Sequence, residues 1–170
     1  KLGSVLPDVN MSWRNDFRWR NFNFGFMVSA RLGGVVFSRT QAMLDQYGVS
    51  EVTAAARDAG GVTLNGGDVV DAYTWYSAIA GGNSIPQFYT YSATNVRLQE
   101  ASIGYTIPRK LLRNVCEITV SIVGRNLWML YNKAPFDPES IATTGNYYQG
   151  IDYFMMPSLR NVGFNLRLKF

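Results

Sequence analysis

The last ten residues, NVGFNLRLKF, place Val162, Phe164, Leu166, Leu168 and Phe170 on one parity and Asn161, Gly163, Asn165, Arg167 and Lys169 on the other. A period of two is the pattern of an extended strand with one apolar and one polar face. The same period recurs near the start. Val9, Met11, Trp13, Phe17 and Trp19 alternate with Asn10, Ser12, Arg14, Asp16, Arg18 and Arg20. From Phe22 the apolar residues move to even positions, through Phe24, Phe26, Val28, Ala30 and Leu32, with only Met27 out of place. Both strands of a hairpin must show their apolar faces to one side, so the parity flip at Arg20 and Asn21 predicts a two-residue turn between strands over about 9–20 and 21–33.

Three more strands follow, over about 88–108, 115–130 and 157–170. In the first of them Val96 and Leu98 are apolar at even positions, and Ala101, Ile103, Tyr105 and Ile107 at odd ones, a slip that predicts a bulge near Gln99 and Glu100. Pro108 ends that strand, RKLLRNV makes a short connection, and Cys116, Ile118, Val120 and Ile122 form the next apolar face. Residues 34–87 and 131–156 lose the alternation. The first of these long loops carries short helical patches, RTQAMLDQYG and SEVTAAARDAGG.

Composition narrows the setting. Charged residues make up 16% of the chain against about a quarter in soluble domains, and aromatics reach 14%. Part of such a surface is wetted by something other than water. No run approaches the roughly 20 apolar residues of a membrane-spanning helix. The net charge of +4 is spread singly along the strands rather than clustered among stacking aromatics, which argues against nucleic acid as a partner. With Cys116 as the one cysteine and no histidine, an internal disulfide, the familiar zinc sites and His-based catalysis are all ruled out. Neither a cofactor nor a metal is expected. Asp137 and Glu139, in FDPE, supply too few oxygens for calcium and are expected to fix their loop.

Five strands of about ten residues with polar alternates fit an all-β fold, an antiparallel transmembrane β-barrel. Loop lengths test this. If the last strand descends to the periplasm, the short turns at Arg20 and after Pro108 are periplasmic and the long loops 34–87 and 131–156 are extracellular. Short and long must then alternate, as they do. A soluble Greek-key sandwich has no reason for such alternation. Trp19, Tyr105 and Trp128, near strand ends, fit an interfacial aromatic girdle.

Four stretches in this order resemble the SusC/RagA-like TonB-dependent transporters of the Bacteroidota outer membrane: LPDVNMSWRNDFRWRNFNFGFMVSARLGG, NVRLQEASIGYTIP, VGRNLWML with FDPE, and PSLRNVGFNLRLKF. The resemblance implies the last five strands of a barrel of about 22, with the plug domain absent from this chain. It implies no enzyme activity, but uptake of oligosaccharides or oligopeptides under a SusD-like surface lipoprotein lid, energised by the TonB system through the plug. The alternatives are a barrel-anchored adhesion protein and a soluble β-rich binding domain. By the same resemblance Val162, Phe164, Leu166, Leu168 and Phe170 form the signal read by the barrel-assembly machinery. Arg14, Asp16, Arg18, Arg31, Arg97, Glu100 and Arg125 are expected to face the lumen, toward the plug or the substrate. Tyr73, Trp75, Tyr76, Tyr147 and Tyr148 are expected to contact substrate or lid.

Overall fold

The computed structural model describes residues 1–81, 85–112, 115–142, 145 and 148–169. Among these residues ten strands and three α-helices follow in chain order: β1 (Val9–Trp19), β2 (Phe22–Leu32), β3 (Val35–Ser38), α1 (Arg39–Gln46), α2 (Glu51–Asp58), β4 (Val62–Thr63), β5 (Val69–Val70), α3 (Ala72–Ala80), β6 (Thr90–Ser92), β7 (Asn95–Ile107), β8 (Glu117–Asn132), β9 (Ile151–Asp152) and β10 (Asn161–Lys169). Two compact units result. One gathers residues 7–33, 93–137 and 157–169; the other gathers 1–6, 34–92 and 138–156.

The first unit is a five-stranded antiparallel sheet in the order β1-β2-β7-β8-β10. β1 and β2 pair from Val9↔Leu32 to Trp19↔Phe22, which leaves Arg20 and Asn21 as the turn, with Arg20 at a φ of 52°. The slip in β7 is a bulge at Gln99: Met27 faces Glu100 while Val28 faces Leu98. Apolar residues form continuous rows across all five strands. One runs Phe17, Phe24, Ile103, Ile122, Phe164, and each of these side chains is between 46% and 68% exposed. The row beside it runs Trp19, Phe22, Tyr105, Val120, Leu166, with Trp19 stacked on Phe22 and Phe22 edge-on to Tyr105. Trp128 is exposed as well. An apolar face of this extent, left open to its surroundings, is foreign to a water-soluble sheet. Among the described residues no helix is long and apolar enough to cross a membrane.

The second unit is the folded content of the two long connections. Its helices begin on side-chain caps: Ser38, Ser50 and Asp71 accept hydrogen bonds from the backbone N–H of Gln41, Thr53 and Thr74 respectively. Ala42, Ala72, Tyr76, Ile79, Ala80 and Tyr89 form its core. A small sheet, ordered β6-β3-β9, joins segments far apart in sequence, with β3 parallel to β9. Gly33 and Gly34, at φ of 79° and 82°, supply the left-handed backbone between β2 and β3 that a side chain would resist.

Sequence reading and structure differ at strand ends. The strand expected over 88–108 begins at Asn95; residues 86–89 form a 3₁₀ turn, and 90–92 pair with β3 in the other unit. The fourth strand extends to Asn132, and the last begins at Asn161 rather than 157.

Candidate functional site

Opposite the apolar rows, the five-stranded sheet presents a polar face whose middle carries a neutral charge cluster. Cross-strand register places Arg14, Met27, Glu100 and Arg125 in one row, so Met27, the residue out of step with its strand's alternation, stands on the polar face. Arg14 Nε donates to Asp16 Oδ2 at 2.9 Å, and Arg14 also lies 3.7 Å from Glu100 Oε1. Arg125 Nε donates to Glu100 Oε2 at 3.2 Å. Gly25, opposite Asp16, keeps room for this cluster, since a Cβ there would stand 2.6 Å from Asp16 Oδ1. Arg18 lies exposed on the same face, and Arg31 is half-buried between Asn10 and Asn95.

Arg97, expected to face the lumen, lies on the polar face but is closed over by neighbouring side chains. On β7 opposite Ser29, it is only 2% exposed. Its Nη2 donates to Asp137 Oδ1 at 2.9 Å, and its Nη1 to Asn126 Oδ1 at 3.3 Å. The other Asp137 oxygen accepts from the Ser158 N–H at 3.1 Å, while Asn126 Nδ2 donates to the Ser158 carbonyl at 2.8 Å. Both backbone groups of Ser158 are thus held just ahead of β10. Asp137 fixes its loop, with Arg97 as the partner.

In the other unit Ser38 Oγ caps α1 and donates to Asp152 Oδ2 at 2.8 Å, both residues being buried, and Thr40 Oγ1 accepts from the Phe154 N–H at 2.7 Å. These bonds bring β9 beside β3 and open an apolar groove of about 520 Å³, lined by Phe37, Arg39, Ala142, Tyr148, Ile151 and Tyr153. Of the aromatics expected to make contacts, Tyr148 lines this groove and Tyr73 is exposed. Tyr76 does not fit that role. It lies in the core, where burial first and Asp45 second raise its hydroxyl pKa. Trp75 is half-buried, packed on that core and edge-on to Phe88 at 6.1 Å. Tyr147 and Phe170 lie outside the described residues. Phe37, Arg39 and Tyr153 escape a sequence reading because their segments, far apart in the chain, are brought together by the pairing of β3 with β9 and by the bond from Phe154 to Thr40. The run Ile151 to Met156, IDYFMM, is the one local signal that points to them.

No protein-family model matches the chain. Over 176 residues it is 28% identical to a TonB-dependent receptor of Formosa agariphila, an alignment covering 99% of this chain and 17% of the relative. Its fold matches the RagAB peptide importer in the open-open state, with a TM-score of 0.71 at 17% identity, and in the closed-closed state, with 0.72 at 16%. Each match covers 99% of this chain and 18% of the solved chain. The chain is similar in sequence to a TonB-dependent receptor and in fold to the RagAB importer. It spans less than a fifth of the relatives it matches, and the part described here is mostly antiparallel sheet.

Proposed function

We propose that this chain is a wall segment of an outer-membrane β-barrel of about 22 strands, and that the barrel imports oligopeptides or oligosaccharides by TonB-dependent uptake in a Bacteroidota cell. The observation that carries the reading is the apolar face exposed along every one of five adjacent strands, backed by a face of ion pairs. Lipid satisfies the first face and a water-filled lumen the second. Among the described residues both outer strands, β1 and β10, have no neighbour on one side, and a membrane wall tolerates no open edge, so further strands of the same barrel pair with them.

In this reading the long connections face outward, and the groove at Tyr148 belongs to the surface that meets the cargo and a SusD-like lipoprotein lid. β10 is the strand read by the assembly machinery. The plug and its link to TonB lie in other parts of the full-length protein. No side chain here is assigned a catalytic role.

The test deletes residues 38–87 from the full-length transporter. Co-purification of the lipoprotein and uptake of cargo are expected to fall, while the amount of protein in the outer membrane stays unchanged because β1, β2, β7, β8 and β10 are intact. Unchanged lipoprotein binding and unchanged uptake would remove this loop from the recognition surface.

A further inference from the structure

The apolar face of the five-stranded sheet ends, on its turn side, in a rim of cations. Arg20 sits in the turn between β1 and β2, and its guanidinium lies 5.5 Å from the centroid of the Trp19 ring. That contact holds the charge on the apolar side of the sheet. The Thr106 N–H donates to the Asn21 carbonyl at 2.8 Å, which ties this turn to the end of β7. Just beyond, a 3₁₀ turn over Arg109–Leu112 adds Arg109 and Lys110, both exposed. Arg109 Nη2 donates to the Lys169 carbonyl at 3.5 Å, a neutral acceptor that leaves the charge uncompensated. Among the described residues no ion pair joins Arg20, Arg109 or Lys110 to a carboxylate. Glu117, the next acidic residue in the chain, belongs to the polar face, across the ladder from Lys169. Apolar side chains stand among these charges. Trp19, Phe22 and Tyr105 close the apolar rows, and in the connection from β7 to β8 Leu111 is 70% exposed and Val115 65%.

We infer that this rim selects anionic phospholipids, holding their headgroups where the sheet leaves the membrane. The inference rests on the barrel reading proposed above, which puts these turns at the periplasmic interface. A soluble anion would satisfy Arg20, Arg109 and Lys110 but would leave Leu111 and Val115 in water. A phospholipid meets both needs at once. Its acyl carbons cover Trp19, Phe22, Leu111 and Val115, and its phosphate accepts charge-assisted bonds from the basic side chains, whose stems lie along the apolar surface. A zwitterionic headgroup brings its own cation to a rim that is already cationic, whereas an anionic one brings only the complementary sign.

Native mass spectrometry of the full-length transporter, released from nanodiscs holding equal parts phosphatidylcholine and phosphatidylglycerol, tests this. The lipid retained by the unaltered protein is expected to be enriched in phosphatidylglycerol; equal retention of the two overturns the inference. Arg20→Gln, Arg109→Gln and Lys110→Gln are each expected to lower the enrichment, by about fivefold per charge removed, and Lys110→Arg to preserve it. Unchanged enrichment with all three glutamines present overturns the assignment to this rim. Arg167→Gln removes a cation from the same end of the sheet but from its polar face. It is expected to leave the enrichment unchanged, and an equal loss there reduces the effect to net charge and overturns the inference. Displacement of phosphatidylglycerol by inorganic phosphate would assign the cations to a small soluble anion and overturn it as well. Absence of heat-modifiable mobility in the unaltered protein overturns the barrel reading instead, which separates the two failures.

Discussion

Replacing Phe164 by Arg distinguishes lipid from water at the apolar face. Phe164 sits in the middle of β10 opposite Ile122, at the end of the row Phe17, Phe24, Ile103, Ile122, and is 68% exposed. If water covers this row, a charge at so exposed a site changes stability by no more than about 0.5 kcal/mol. If hydrocarbon covers it, Arg near the bilayer midplane costs about 2–4 kcal/mol. At about 1.4 kcal/mol per decade that is a shift of about 30-fold to 700-fold in the folding equilibrium. Asn165 is the built-in control. It is the next residue on the same strand, also exposed, and faces the other side opposite Ser121. Asn165→Arg is expected to cost less than about 1 kcal/mol. The assay is equilibrium unfolding of the full-length protein from phosphatidylcholine vesicles, read by heat-modifiable mobility and tryptophan fluorescence. Ile122→Arg against Ser121→Arg repeats the comparison on a strand paired on both sides. Equal costs on both parities would refute the assignment of this face to lipid.

Asp137→Ala leaves the Arg97 guanidinium buried without its carboxylate, an arrangement that costs about 3–5 kcal/mol when one partner of a buried pair is lost. Hydrogen exchange at the Ser158 amide should accelerate with it, and unchanged protection there would show that the pair does not hold the approach to β10. In the helical unit the hydroxyls of Tyr76, Tyr89 and Tyr91 have raised pKa values, first from burial and then from Asp45. Because the folded unit holds these protons more tightly than the unfolded chain, the stabilisation is complete below about pH 10 and is lost as pH rises beyond it toward the folded values. An absorbance titration of the wild type against Tyr89→Phe should show Tyr89 ionising only as the unit unfolds; reversible ionisation near pH 10 in the folded protein would contradict its enclosure.

Local sequence by itself determined the strands and their sidedness. A period of two states which residues share a face before any partner is known, and a change of parity can arise only from a turn or a bulge. The flip at Arg20 and Asn21 and the slip at Gln99 therefore read directly as the turn and the bulge seen in the sheet. The helix starts at Ser38, Ser50 and Asp71 are equally local, since a cap bonds to an amide three residues on. Tertiary structure alone decided the rest. Whether an aromatic such as Tyr76 packs inward or remains open, as Tyr73 does, depends on segments elsewhere in the chain that cover it. The pairing of Phe37 with Ile151, the bond from Ser38 to Asp152 and the burial of Arg97 against Asp137 join residues 40 to 114 positions apart. Contacts at that separation leave no periodic trace in either partner, because each segment alone is compatible with many others. Only the closed fold, which must satisfy most buried polar groups together, selects among them.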